Sequence, residues 1–186
     1  MVQFHSLLTT PGKVRAQVEL TRLAQRLGEL HGSLLSLELV LRAFLLNYQF
    51  AFSQPGGVAA VFPELAKLET LQADDWVTEN PFTNWDSLGD VIQRYNCATA
   101  SLAPRVRIDP GLNDLRDVLA HGRLFAGSAE GAFQLVKFGR PQGGRVRVLC
   151  SISLTDSWFK EHIRSVNTAL QTANQVNDRL MNGTLK

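Results

Sequence analysis

The sequence predicts a mainly α fold, an antiparallel helical bundle of four to five helices with a β-hairpin inserted before the C-terminal helix. Three observations predict it. Apolar residues recur at three- and four-residue spacing over most of the chain, strict alternation replaces that rhythm only within 132–154, and capping residues and prolines punctuate the joins. With 186 residues, 45% of them hydrophobic and 19% charged, the composition is that of an ordinary globular protein, and a single domain over 1–186 is expected.

From Lys13 to Leu30, the apolar residues Val14, Val18, Leu20, Leu23, Leu27 and Leu30 alternate in helical rhythm with Arg15, Gln17, Glu19, Arg22 and Arg26. This predicts an amphipathic helix. A second helix is expected from about Ser33 to Phe52, apolar nearly all round, as either the central helix or a subunit interface. Residues 54–84 carry Pro55, Gly56, Gly57, Pro63 and Pro81 and form a loop-rich insertion with one short helix over Glu64–Leu71. Trp76, Phe82 and Trp85 are expected to pin it to the body by simple packing.

A third helix is predicted from Trp85 to Leu102, with Leu88, Val91, Ile92 and Tyr95 on one face and Pro104 ending it. The fourth has the clearest start. Asp109 is a good N-cap, Pro110 suits the first helical position, and Leu112, Leu115, Val118 and Leu119 form a stripe that Gly122 terminates. Phe133–Phe138, the turn-like run 139–144 and the alternation of Val146, Val148, Cys150, Ile152 and Leu154 predict the hairpin over 132–154. Its second strand offers Arg145 and Arg147 on the opposite face, with Lys137 and Arg140 nearby. Thr155 or Asp156 then caps a last helix along which Phe159, Ile163, Val166, Leu170, Ala173, Val176 and Leu180 repeat nearly as a heptad.

A formal net charge of +2 does not by itself indicate a nucleic-acid binder. Distribution says more than the sum. Arg105, Arg107, Arg116, Arg123, Arg140, Arg145 and Arg147 fall in one third of the chain, which suits planar recognition of phosphate or carboxylate, a plainly solvated surface being the alternative. Cys97 and Cys150 lack any CxxC or Cys/His spacing, so neither a zinc site nor a disulfide framework is indicated and both are expected to be buried thiols. The start at Met1–His5 lacks the features of a signal peptide, and polar residues interrupt the apolar run Leu34–Phe52. A cytoplasmic protein with no membrane partner is expected.

Phosphate-binding loops, dinucleotide fingerprints, HExxH and GxSxG motifs and carboxylate clusters with metal-ligand spacing are all missing from the sequence. No metal and no cofactor are expected. The four histidines form no pair at helical spacing. What stands out is Asn113 to Arg123, where Asp117 and His121, four apart on a helix, share a face and Arg116 lies one step round. Cleaving RNA through its own 2′-hydroxyl needs one proton removed, one supplied to the leaving 5′-oxygen, and a fixed cation at the phosphate. A histidine beside an arginine offers those functions without a metal. A helix-terminal histidine merely bonded to Asp117 is the alternative, and Arg26 and His31 repeat the interval without the same surroundings.

Arg116, polar Asp117 and the run Ala120-His121-Gly122-Arg123 near the end of the penultimate long helix resemble the signature of the HEPN superfamily, the higher eukaryotes and prokaryotes nucleotide-binding domains. The match in detail covers about a dozen residues. The resemblance implies a bundle that dimerises so that the motifs of two subunits meet in one cleft, where many members act as metal-independent endoribonucleases, often as toxins or in anti-phage defence. It implies that Arg116 binds and polarises the scissile phosphate, His121 is the acid or base, and Asp117 supports the pair. RNA, a second copy of the chain and an antitoxin or regulatory protein are the partners it suggests. Arg123, Arg140, Arg145 and Arg147 are added as candidate RNA-backbone contacts. Arg123 replaces the Tyr that stands two residues after the His in the antitoxin-modified branch, so modification of that kind is not expected. Many members keep the fold as binding or regulatory modules, which is the alternative function. Glu38 and Asn47 either face the same cleft or are partly buried structural polars.

Overall fold

Helical periodicity governs most of the chain, and a computed structural model shows what it builds. The structure describes residues 11–53, 66, 70–100, 106–126 and 132–185. It is mainly helical: α1 (Pro11–Ser53), α2 (Leu88–Ala98), α3 (Gly111–His121) and α4 (Asp156–Met181), with strands β1 (Arg123–Ala126), β2 (Phe133–Phe138) and β3 (Val148–Ser153) between α3 and α4.

The first two predicted helices are one. α1 continues through Gly28 and Gly32 because the buried positions stay in phase across them, Leu23, Leu30, Leu37 and Phe44 at seven-residue intervals with Leu34 and Leu41 beside. A helical glycine costs about 1 kcal/mol relative to alanine, too little to break a helix whose stripe is buried on both sides of it. By length and composition Gln17–Phe52 suffices to cross a bilayer, yet Leu30, Leu34, Leu37, Leu41, Phe44 and Leu46 are buried in the protein.

Two compact units divide the described chain, one of α1 as far as Gly32 with Leu115–Arg164, the other of Ser33–Asp114 with the chain from Ser165 onward. In the second unit Phe44 meets Tyr95 edge-on at 4.8 Å, and the Asn47 side chain donates to Asn177 Oδ1 at 2.8 Å. The Asn96 amide donates to Ile108 O and accepts from Ile108 N, both at 2.8 Å, which fastens the approach to α3 against α2. Arg42 holds the chain ahead of α2: its guanidinium donates to Glu38, to Pro81 O at 2.7 Å, to Asn84 Oδ1 at 2.8 Å and to Asp86 O at 2.6 Å.

That latch corrects the expectation for the aromatic residues. Trp76 and Trp85 are fully exposed and Phe82 is half-buried, so the segment is fixed by Arg42 and the buried Pro81 rather than by indole packing. Glu38 and Asn47 follow the structural reading, since both are engaged by partners within this unit. The expected helix over Glu64–Leu71 lies largely outside the described residues, as do Leu102 and Pro104.

α2 is shorter than predicted because Ser87 starts it. The Ser87 hydroxyl accepts from Asp90 N, and the Asp90 carboxylate accepts from Ser87 N, a reciprocal capping box that leaves Trp85 outside. Cys97 is exposed on the side of α2 away from Leu88, Val91 and Tyr95, and Cys150 is half-buried on an outer strand, so neither is the buried thiol expected. α3 begins as its punctuation predicts, with Asp109 accepting from Gly111 N at 2.9 Å.

In the first unit the predicted hairpin gains a strand. β1, β2 and β3 form an antiparallel sheet in that order, with Arg123 opposite Val136 and Leu135 opposite Ile152. β1 escaped prediction because four residues, Arg123-Leu124-Phe125-Ala126, are too few to alternate visibly. The turn Gln142–Arg145 closes on two glycines with positive φ, Gly143 at 56° and Gly144 at 75°, the geometry that glycine alone adopts without strain. β3 starts only at Val148, and Val146 and Val148 are exposed rather than inward. Thr155 caps α4, its hydroxyl accepting from Trp158 N at 3.1 Å, and Asp156 in the first turn bonds Arg22 and Arg26 of α1.

Candidate functional site

The candidate residues share the first unit, at the junction of α3 and the sheet. α3 ends at His121, with Gly122 N donating to Val118 O at 2.8 Å. Gly122 is there for closeness rather than for handedness. A β-carbon at that position would lie 2.5 Å from Val118 O and 2.7 Å from Leu135 Cδ1, so only glycine lets the chain leave the helix and enter β1 against the central strand.

Asp117 is the best-connected of the group. Its carboxylate is ion-paired with Lys137 of β2, and Oδ1 lies 3.6 Å from His121 Nε2, an electrostatic contact longer than a hydrogen bond. The backbone arranges this. Residues four apart on α3 share a face, and the alternation of β2 sets Lys137 on the same side of the sheet as Leu135, the side that meets Gly122. Lys137 is a partner of Asp117 that the sequence alone does not reveal, since the two are twenty residues apart.

His121 keeps 64% of its side chain exposed, so its ring is open to a ligand, with Asp117 near it on one side. Arg116 is exposed and, among the described residues, makes no hydrogen bond or ion pair. Helical geometry sets Arg116 and His121 about 140° apart round the axis, so one α3 presents them in different directions.

Arg123 opens β1 and points away from Asp117, onto the other sheet face, where its guanidinium lies 5.6 Å from the centre of the Phe138 ring. Arg140, Arg145 and Arg147 are exposed on the β2–β3 connection. Because Arg123 is opposite Val136, the β1 start and that connection lie at the same end of the sheet, which brings the four arginines and His121 to one region. Over 118–155 the sequence has five basic residues against one acid, Glu130.

No group of three or more potential metal ligands is found among the described residues. No family model matches the chain, and no curated protein or solved structure is significantly similar to it.

Proposed function

We propose that the chain is a metal-independent endoribonuclease of HEPN type, cytoplasmic, in which Arg116 and His121 of two copies build one cleft. The observation that carries the reading is the exposed pair Arg116 and His121, the imidazole with Asp117 near it and the guanidinium without a partner among the described residues. Their divergence on α3 gives a physical reason for a second copy, whose Arg116 supplies the cation that one chain turns away from its own His121. In an antiparallel bundle, two such helix ends brought together present two histidines and two arginines.

In the proposed reaction the 2′-oxygen of one nucleotide attacks the adjacent phosphorus, and the bond from phosphorus to the 5′-oxygen breaks. One His121 takes the 2′-hydroxyl proton and the other gives a proton to the departing 5′-oxygen, leaving a 2′,3′-cyclic phosphate and a 5′-hydroxyl. Arg116 neutralises charge accumulating on the phosphate, and Lys137, already bound to Asp117, fixes the carboxylate that orients the ring. A toxin or defence role, with an antitoxin or regulatory partner, is the setting that the HEPN resemblance suggests.

The test is cleavage of single-stranded RNA in EDTA by the purified chain and by His121→Ala and Arg116→Ala. Loss of a general acid–base group is expected to slow cleavage by about 10²- to 10⁴-fold. Equal rates in the parent and His121→Ala would remove His121 from the reaction. RNA bound but uncut by the parent would assign the chain to the alternative, a non-catalytic HEPN-like binding or regulatory module.

A further inference from the structure

The sheet carries a partly exposed aromatic face that the proposed chemistry does not use. Register sets Arg123, Phe125, Val136 and Phe138 on one side, with Val148 opposite Phe138 where the pairing shifts between Lys137 and Phe138. Phe125 and Phe138 meet edge to face at 6.2 Å and Arg123 stands over Phe138; Val136 between them is buried and Phe138 half-buried, while Phe125 and Val148 remain 44% and 52% exposed. Lys137 and Leu135 occupy the other face, toward α3, so the aromatic face is separate from the Asp117 ion pair.

We infer that this face is a stacking platform for unpaired bases of single-stranded RNA, a reading that rests on the proposed ribonuclease and names the form of its substrate. Charge complementarity selects the occupant. Arg123 adjoins the rings, Arg140, Arg145 and Arg147 lie at the same end of the sheet, and no acidic residue is found in β1, in β2 or between β2 and α4. Such a surface attracts a polyanion. Among polyanions, unpaired strands expose base faces that can lie on Phe125 and on the guanidinium plane of Arg123, whereas a duplex hides them. Arg123 is two residues from His121, at most about 7 Å of extended chain, so a strand stacked on the platform passes the proposed acid–base group.

The experiment uses the full chain carrying His121→Ala, which keeps the probe intact, and follows the fluorescence anisotropy of a short fluorescein-labelled oligouridylate. Phe125→Leu keeps an apolar side chain and removes the ring, and roughly tenfold weaker binding is expected, with Phe125→Trp restoring it and the same length of duplex RNA binding more weakly than the single strand. Binding unchanged in Phe125→Leu would overturn the platform while leaving the nuclease reading intact. An unchanged affinity accompanied by conversion of a dimer to a monomer in sedimentation would assign the face to self-association, and would also overturn it. Failure of the parent to bind or cut RNA at all would instead remove the ribonuclease reading on which the platform rests.

Discussion

Gly122 is the residue on which the geometry of the site turns. Its missing side chain lets Leu135 approach the end of α3, and Gly122→Ala is expected to cost about 1–3 kcal/mol of stability, measured by urea unfolding, because Val118 O belongs to backbone and cannot step aside. Tyr95 is the opposite case. Its hydroxyl is buried with no hydrogen-bond partner among the described residues, and burial pushes the phenol well above its ordinary pKa. Tyr95→Phe removes a polar group that no described residue satisfies, and the melting temperature is expected to stay level or to rise, by the equivalent of up to roughly 1 kcal/mol. At this scale the sequence was informative where chemistry is local. Asp109, the pair Asp117 and His121, and the stop at Gly122 are set by spacings of four residues or fewer, and each is found in place. Lys137 was not legible as Asp117's partner, because twenty residues separate them and only the sheet register aligns them.

Among the elements, α1 and α4 are joined in the first unit by Arg26 and Asp156. The hydrogen bond from Arg26 holds the Asp156 carboxyl below its ordinary value, with Arg22 and Lys160 adding charge in the same direction. A folded value below the unfolded one means that the contribution to stability is present above the unfolded value and is lost as the pH falls through the folded one. In Arg26→Gln, the midpoint of the Asp156 carboxyl, followed by NMR, is expected to move up toward the ordinary carboxylate range; a midpoint that does not move would deny Arg26 that role. At the start of α2, Ser87→Ala is expected to lower stability by about 1 kcal/mol through loss of the capping box. Helix rhythm made most of these elements readable. The joint expected near Gly32 failed because a glycine is only a weak break when the buried stripe runs through it, and β1 failed because four residues carry too little pattern.

For the whole molecule, the helical class and the antiparallel strands before the last helix were legible in periodicity, since burial enforces the 3.6- and 2-residue repeats. The aromatic face and the polar latch at Arg42 were not, because both depend on segments distant in sequence. RNA affinity is expected to fall steeply with salt, and each of Arg140→Ala, Arg145→Ala and Arg147→Ala is expected to lower the slope of log affinity against log salt by about one if that arginine meets a phosphate. The most direct test of the central claim is identification of the ends made when single-stranded RNA is incubated in EDTA with the parent and with His121→Ala. The account predicts 2′,3′-cyclic phosphate and 5′-hydroxyl ends from the parent and intact RNA from the variant; the same ends at the same rate from both would contradict it.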